Sequence, residues 1–335
     1  MKMNLWLIST LVLLLLFCSF STAAALATIS KSPYSGAIVI DAATGKVLFE
    51  DHADTKGYPA SVTKLMVLLV ILDAVESHHL KLDDPVTVTA EASRIGGSQV
   101  YLKENEVFPV DELLYALVVE SANDAATALA IHYAGSKGAF VELMNERARG
   151  IGMKNTVFHS VHGLPPGKGQ LPDVSTPRDI GELCRELLKS RNALKYTSTK
   201  QRAFRADTAK PFIMINHNKL LKRIEGCDGF KTGYFRAGGF SIAATATKKD
   251  HRAIAVVLGA ADGKVRDAKA KEMLTKGLMK LVTNAPPPPP AAVPDTIQIK
   301  KSTMKTISAG IGGVMILGVV LFALKNRARD SSYMR

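Results

Sequence analysis

The chain has 335 residues with a formal net charge of +13, and 47% of its residues are hydrophobic. This length is sufficient for one large domain, or two closely packed subdomains, with a buried core. The positive charge favours contact with an anionic surface, or produces only a solvated basic face. The sequence has no basic run with interleaved aromatic residues, which argues against nucleic acid as a partner.

The N-terminus has the three parts of a secretory signal peptide. Lys2 supplies a positive charge, residues 5–20 are mostly apolar, and Ala25-Leu26-Ala27 provides a cleavage site of small residues. Residues 1–27 are therefore predicted to be removed on export, with an uncleaved N-terminal anchor as the alternative.

The C-terminus predicts a membrane anchor. Residues 307–324 carry no charge, and as a helix they would rise roughly 27 Å, close to the thickness of a bilayer core. The short basic tail, 325–335, favours a cytoplasmic end. Residues 284–306 contain a run of prolines and are predicted to form an extended spacer. The expected product is a single-pass protein of the cytoplasmic (inner) membrane, with residues 28–283 on its periplasmic or outer side.

The hydrophobic periodicity of the body changes from strand-like to helical and then returns to strand-like. This order predicts an α+β fold, in which helices cover an antiparallel sheet and a helical insertion lies in the middle. The predicted elements are a hairpin of strands 37–41 and 46–50, a buried helix 65–75, a helix 110–133 that breaks at Ser121-Ala122-Asn123, a helix 179–188, strands 229–234, 240–247 and 253–259, and a closing helix 269–282.

Two cysteines lie within the body, Cys184 and Cys227. Cys184 falls among apolar positions of the predicted helix 179–188, which favours a buried free thiol. The expected compartment also permits a disulfide between the two cysteines, and their spacing leaves that question open.

Ser61 and Lys64 lie three positions apart at the start of the buried helix, so that their side chains share one face. A serine hydroxyl needs a base before it can act as a nucleophile. A lysine can be that base where burial and positive neighbours lower its pKa. Backbone N–H groups at the helix start can stabilise an oxyanion. The pair predicts a nucleophile, Ser61, and its base, Lys64, although the same spacing often arises by chance.

Ser121 and Asn123 lie where a helical pattern breaks, so their side chains can reach a cleft. In that position Ser121 would relay a proton and Asn123 would hold a substrate amide. The alternative is a simple helix cap, because serine and asparagine favour such positions.

Lys231-Thr232-Gly233 falls on a predicted strand, and the edge of a strand can pair with an extended peptide. Lys231 and Thr232 would bind the carboxylate of that peptide, while Gly233 would let it approach closely. The backbone N–H of Tyr234 would join that of Ser61 as the second oxyanion donor.

The order S-x-x-K, S-x-N and K-T-G resembles that of the penicillin-recognising serine acyl-transferases. Over about residues 30–282, the chain is similar to the D-alanyl-D-alanine carboxypeptidases, the low-molecular-mass penicillin-binding proteins of peptidase family S11. The segments that carry this similarity are Pro59-Ala-Ser-Val-Thr-Lys-Leu-Met66, Glu120-Ser-Ala-Asn-Asp-Ala125, Ser175-Thr-Pro-Arg-Asp179 and Asp228-Gly-Phe-Lys-Thr-Gly233.

The resemblance implies a β-lactamase/transpeptidase-like fold with the active site between the covered sheet and a mostly helical subdomain. It implies that Ser61 carries the acyl group, Lys64 is the base and Ser121 assists proton transfer, while Arg266 orients the substrate carboxylate. The expected substrate is a peptidoglycan stem peptide that ends in D-Ala-D-Ala, and β-lactam antibiotics are the expected covalent inhibitors. No cofactor is expected, and the His159/His162 pair is not expected to bind a metal.

Three other functions remain open from the sequence. A D,D-endopeptidase would cut peptidoglycan cross-links with the same residues. A class A β-lactamase would use an additional glutamate for deacylation, and no E-x-x-L-N stretch occurs between Ser121 and Lys231. A non-catalytic cell-wall binding protein would have no need of the intact motifs.

Overall fold

The computed structural model describes residues 34–283. These residues fall within the first of the two units, Met1–Asn284 and Ala285–Arg335, into which the chain divides. Among the helices of this described part, none is long and apolar enough to cross a membrane. The predicted parts that lie outside it are the signal peptide 1–27, the spacer 284–306, the span 307–324 and the tail 325–335.

Five strands of the described part form a central antiparallel sheet in the order β2-β1-β9-β8-β7, and four others form two small hairpins, β3-β4 and β5-β6. The strands are β1 (Gly36–Asp41), β2 (Val47–Asp51), β3 (Pro85–Thr87), β4 (Val107–Pro109), β5 (Gln201–Phe204), β6 (Phe212–Ile215), β7 (Cys227–Phe235), β8 (Gly239–Lys248) and β9 (His251–Ala260). The predicted N-terminal hairpin and the three later strands are confirmed, whereas both small hairpins were missed.

Helices cover the sheet, as the sequence predicts. They are α1 (Lys64–Glu76), α2 (Ala90–Ser93), α3 (Val110–Tyr115), α4 (Asn123–Ala134), α5 (Lys137–Gly150), α6 (Pro177–Leu187), α7 (Ala193–Thr197) and α8 (Gly263–Thr283). A 3₁₀ turn, Ala60–Thr63, leads directly into α1, and a π-helical turn, Ala116–Glu120, follows α3.

The two faces of the sheet pack against different helices, because side chains alternate along each strand. On β1, Val39 belongs to the core beneath α8, whereas its neighbour Ile38 belongs to the larger core around α1. Every residue of α1 from Lys64 to Leu72 is buried, which explains why its sequence is apolar all round.

The closing helix starts earlier than predicted, and the sequence analysis missed α2, α5 and α7. The closing helix begins at Gly263 rather than at residue 269, because Asp262 Oδ1 accepts hydrogen bonds from the backbone N–H groups of Lys264 and Val265, at 2.7 and 2.8 Å. This earlier start places Arg266 in the first turn of α8. The sequence analysis missed α5, whose buried residues are only Phe140, Met144 and Ala148, too few to give a clear apolar stripe.

Both cysteines of the described part are free thiols. Cys184 lies fully buried in α6, where desolvation raises the pKa of its thiol above the ordinary value. The prediction of a buried free thiol is confirmed, and the question of a bond to Cys227 is answered.

Candidate active site

A cavity of about 780 Å³ opens at the edge of the sheet and is lined by residues of β7, of the turn before α1 and of the start of α8. Six of the nine predicted site residues line it, and the other three, Lys64, Asn123 and Lys231, are buried. The six that line it are Ser61, Ser121, Thr232, Gly233, Tyr234 and Arg266.

Ser61 lines the cavity, and Lys64 lies buried behind it. Lys64 Nζ lies 3.0 Å from Ser61 Oγ, and it donates a hydrogen bond to the carbonyl oxygen of His162 at 2.7 Å. Only 1% of Lys64 is exposed. At this distance an uncharged amine can accept the hydroxyl proton of Ser61.

Two buried lysines dominate the electrostatics of the cavity. Burial, followed by the positive charge of Lys231, holds the pKa of Lys64 well below its usual range. Burial and then the charge of Arg266 lower the pKa of Lys231 to about 7, against an opposing effect of Glu120. Lys64 is thereby biased toward the neutral amine, while Lys231 changes charge near neutral pH.

A buried carboxylate ties the loop after α5 to the turn that carries Ser61. Asp173 accepts hydrogen bonds from the backbone N–H groups of His159 and Ser160, at 2.7 and 2.8 Å. Its other oxygen accepts from Thr63 Oγ1 at 3.0 Å. Thr63 is the third residue of the S-x-x-K motif, so its hydrogen bond to Asp173 ties the turn that carries Ser61 to the loop.

Gly163 allows the same loop to reach Lys64. Its φ is 76°, and a Cβ atom at this position would overlap the backbone carbonyl of Ala60. Only glycine combines this left-handed conformation with so close an approach. The preceding carbonyl, that of His162, is therefore held against the Lys64 amine.

The chain changes direction at Ser121, as the sequence predicts. The π-helical turn ends at Ser121, whose φ is 64°, and α4 begins at Asn123. Ser121 thus reaches the cavity wall. Asn123 donates from Nδ2 to the carbonyl of Gly96 at 2.7 Å, but its buried Oδ1 has no partner within residues 34–283. A buried acceptor without a donor is unfavourable by about 1–3 kcal/mol until a ligand supplies one.

Ser98 lines the cavity and was missed by the sequence analysis. Its carbonyl accepts a hydrogen bond from the backbone N–H of Asn123 at 2.8 Å. The carboxylate of Asp124 accepts from the N–H of Leu102 at 3.0 Å, which holds the loop in place. The signal in the sequence was Gly97, whose φ is 82° and which leaves no room for a Cβ atom beside the Asn123 side chain.

The Lys-Thr-Gly motif lies on β7, an edge strand. β7 pairs with β8, with Lys231 opposite Ala243, and its outer edge pairs with no other strand of the described part. A Cβ atom on Gly233 would lie 2.5 Å from the Pro59 carbonyl oxygen and 2.9 Å from the Ser61 nitrogen. The absence of a side chain on Gly233 therefore lets the strand edge pack directly against the turn that carries Ser61.

Arg266 forms the far wall of the cavity and is only 7% exposed. Its Nε and Nη2 atoms donate to Asp267 Oδ1 at 2.9 and 2.7 Å. His217 lines the same wall and was not predicted, because a single histidine between two asparagines carries no motif. Desolvation, together with the charges of Lys231 and Lys64, lowers the pKa of His217 to about 4, so its ring is neutral at pH 7.

His159 and His162 stabilise the loop after α5 through their backbone groups. His159 donates its N–H to Asp173, and His162 offers its carbonyl to Lys64. Among residues 34–283, no group of three or more His, Cys, Asp or Glu side chains is placed to hold a metal ion.

Comparisons with known proteins agree with the geometry. A family profile described as D-alanyl-D-alanine carboxypeptidase, Peptidase_S11, matches residues 22–262. The chain is 37% identical over 238 residues to the D-alanyl-D-alanine carboxypeptidase DacF of Bacillus subtilis, an alignment that covers 71% of this chain and 60% of that protein. The chain spans about 60% of the length of the first curated relatives that it matches.

Solved structures show the same fold. Penicillin-binding protein 6B from Escherichia coli superposes with a TM-score of 0.69 and 32% identity, over 76% of this chain and 80% of that one. Penicillin-binding protein D2 from Listeria monocytogenes, in its ampicillin-bound form, gives a TM-score of 0.66 and 29% identity, over 74% and 98%. The fold is therefore the penicillin-binding, transpeptidase-like fold that the sequence predicts, and the chain belongs to the D-alanyl-D-alanine carboxypeptidase family S11.

Proposed function

We propose that this protein is a serine-type D-Ala-D-Ala carboxypeptidase that removes the terminal D-Ala from peptidoglycan stem peptides. The observation that carries the proposal is the Lys64 amine, buried and of lowered pKa, at 3.0 Å from the Oγ atom of Ser61, which lines the open cleft. Family membership and the names of the relatives support the same activity.

The reaction begins when neutral Lys64 takes the proton of Ser61, whose Oγ attacks the carbonyl carbon of the penultimate D-Ala. The N–H of Ser61, joined by that of Tyr234, stabilises the oxyanion. The bond to the terminal D-Ala then breaks, and the leaving nitrogen receives a proton through Ser121. Water attacks the acyl-Ser61 ester with Lys64 again as base, which regenerates the serine.

The substrate lies along the free edge of β7, where backbone hydrogen bonds hold an extended peptide. Its terminal carboxylate is bound by Lys231, Thr232 and Arg266. We assign the unpaired Asn123 Oδ1 to an N–H of the peptide, a contact that requires the buried Asn123 side chain to turn toward the cavity. A β-lactam mimics this peptide and acylates Ser61; the similar penicillin-binding protein D2 of Listeria monocytogenes has been solved with ampicillin bound.

The competing functions have less support. The relatives are named carboxypeptidases, which does not favour the D,D-endopeptidase or a cell-wall protein without activity. A class A β-lactamase needs a deacylating glutamate, and no glutamate lines the cavity in the described part.

The activity is tested with the full-length protein in detergent, a peptide ending in D-Ala-D-Ala and a fluorescent penicillin. The wild type should release D-Ala and become labelled, whereas Ser61→Ala should lose the label and at least ~10³-fold of kcat, because the nucleophile is removed. Ser77→Ala, an exposed serine just after α1, is the matched control and should behave as the wild type. A wild type that takes the label but releases no D-Ala would contradict the carboxypeptidase proposal.

The pH dependence of kcat/KM should be bell-shaped. Protonation of Lys64 removes the base as the pH falls, and deprotonation of Lys231, whose pKa is about 7, removes a carboxylate ligand as the pH rises. Lys231→Arg keeps its charge beyond pH 12, so the alkaline decline should disappear in this variant. The wild type should also lose the decline with a substrate whose C-terminus is amidated. An unchanged alkaline limb in both experiments would exclude Lys231 as its origin.

Gly163→Ala should lower kcat, because the new Cβ atom overlaps the Ala60 carbonyl and displaces the carbonyl that holds Lys64. Gly169→Ala is the matched control, since Gly169 also has a positive φ, 79°, but nothing lies within 4 Å of its added Cβ. Both substitutions carry the same backbone strain, so an additional loss of about tenfold or more in kcat is expected only for Gly163→Ala. Equal kcat values in the two variants would show that the carbonyl contact is not needed.

We also propose that the active site lies outside the cytoplasm. Residues 1–27 direct export and are removed, residues 307–324 span the cytoplasmic membrane, and residues 284–306 keep the catalytic body a short distance above it. The support is the charge and hydropathy pattern of the two ends. Peptidoglycan lies on that side of the membrane, so this topology places the active site with its substrate.

Reporter fusions test this topology. Alkaline phosphatase, which is active only after export, is fused after residue 283 or after residue 335 of the otherwise intact chain. Activity is expected at the first position and not at the second, because the basic tail stays in the cytoplasm. Activity at both positions would contradict the proposed membrane span at residues 307–324. Activity at neither position would contradict the proposed export signal at residues 1–27.

A further inference from the structure

Three side chains form a continuous stack on one wall of the cavity. The ring of Tyr234 stacks on that of Phe240 with centroids 4.1 Å apart and an interplanar angle of 25°. The guanidinium carbon of Arg266 lies 5.9 Å from the Phe240 ring centroid. We call Tyr234, Phe240 and Arg266 the aromatic stack, and all three line the cavity.

The stack is held by the fold rather than by the ligand. Tyr234 on β7 lies directly opposite Phe240 on β8 in the antiparallel register, and such cross-strand pairs have their side chains on the same face. Arg266 is fixed by two hydrogen bonds to Asp267. Tyr234 nevertheless remains 54% exposed, so a large part of its surface is available to a ligand.

The position of the stack identifies the part of the substrate that it meets. In the proposed reaction the scissile carbonyl lies at Ser61, and the terminal carboxylate lies at Thr232 and Arg266. One residue, the one that leaves, connects these two points, and one residue spans at most about 3.6 Å of chain. Tyr234 directly follows Gly233, where an added Cβ atom would lie 2.9 Å from the Ser61 nitrogen, and the stack ends at Arg266. The side chain of the leaving residue therefore lies beside the aromatic stack.

We propose that the aromatic stack makes this leaving-residue subsite accept apolar D-amino acids larger than alanine, such as D-leucine or D-phenylalanine. This inference rests on the proposed carboxypeptidase activity and extends its substrate class. The methyl side chain of a terminal D-alanine fills little of an open cavity of about 780 Å³. A larger apolar side chain can cover the exposed face of Tyr234.

The charges around the subsite select against cationic residues. Lys219, Arg223 and Lys264 line the same cavity as Arg266, while the acidic lining residues are Asp262 and Asp267. Asp267 is already engaged by Arg266 and also lies 3.8 Å from Arg223. A terminal D-lysine is therefore a poor leaving residue, although it is similar to D-leucine in its apolar stem.

The chemistry is unchanged by the larger residue. Ser61 Oγ forms an ester with the penultimate D-Ala as the amide C–N bond breaks, and the leaving D-leucine takes up the proton as a free amine. Water then cleaves the ester, so the net reaction is hydrolysis of one peptide bond.

The test compares three peptides that differ only in their last residue, D-Ala, D-Leu or D-Lys, with the full-length wild type in detergent. We expect kcat/KM for D-Leu to lie within about tenfold of the value for D-Ala, and the value for D-Lys to be at least about tenfold below that for D-Leu. For three variants we compare the ratio of kcat/KM for the D-Leu peptide to kcat/KM for the D-Ala peptide. This ratio does not change when a substitution lowers the activity on both peptides equally. The three variants are Tyr234→Ala, Tyr234→Phe and Tyr58→Ala.

Tyr234→Ala should lower the ratio about tenfold, and Tyr234→Phe, which keeps the ring, should retain it. Tyr58→Ala is the matched control, because Tyr58 packs on Phe235 and does not line the cavity, so the ratio should not change. Normal release of D-Ala with negligible release of D-Leu would overturn the inference and leave the proposed function intact. A ratio that Tyr234→Ala does not change would also overturn it, and failure to release any terminal residue would instead refute the carboxypeptidase proposal.

Discussion

The buried amine of Lys64 is the constraint on which the rest of the site depends. A charged ammonium group in this environment would be strongly unfavourable, and both burial and Lys231 act against it. The neutral amine still needs fixed neighbours, and it has two, Ser61 Oγ and the carbonyl of His162. The fold must therefore bring the turn before α1 and the loop after α5 to the same point and keep water away from it.

Glycines at two places make this meeting possible. Gly163 lets the loop pack on the carbonyl of Ala60, and Gly233 lets the edge strand β7 pack on Pro59 and Ser61. The turn that carries Ser61 is thus enclosed by backbone atoms from two sides. Backbone contacts leave little freedom of position, which is why a short turn can hold Ser61 Oγ where the substrate carbonyl arrives.

Sequence patterns predicted the parts of this arrangement that are local. The S-x-x-K spacing fixed which side chains share a face, the broken helix placed Ser121 in the wall, and alternation gave the three later strands. The missed features depend on long-range packing. Ser98 reaches the cavity only because Asp124 and Asn123 hold its loop, and Asp173 contacts Thr63 across 110 positions of chain. No periodicity in the sequence records such contacts.

The start of the closing helix could not be predicted from sequence periodicity either. Its periodic apolar residues indicated a start near residue 269, but the cap at Asp262 starts it at Gly263, and Arg266 is thereby rigidly held beside Phe240. Phe240 carried no motif at all.

The fixed side chains of the site also bring several positive charges close together. Lys64, Lys231 and Arg266 are all buried, and two of them disfavour the charge of a neighbour: Arg266 lowers the pKa of Lys231, and Lys231 lowers that of Lys64. Such a cluster is unfavourable for folding, because buried like charges repel. Arg266 forms an ion pair with Asp267, and in the proposed reaction the substrate carboxylate adds a second negative charge to the cluster. In that proposed reaction the bound carboxylate favours the protonated form of Lys231, and the charge of Lys231 favours the neutral form of Lys64. Binding of the carboxylate at one end of the cleft would then keep the proposed base neutral at the other.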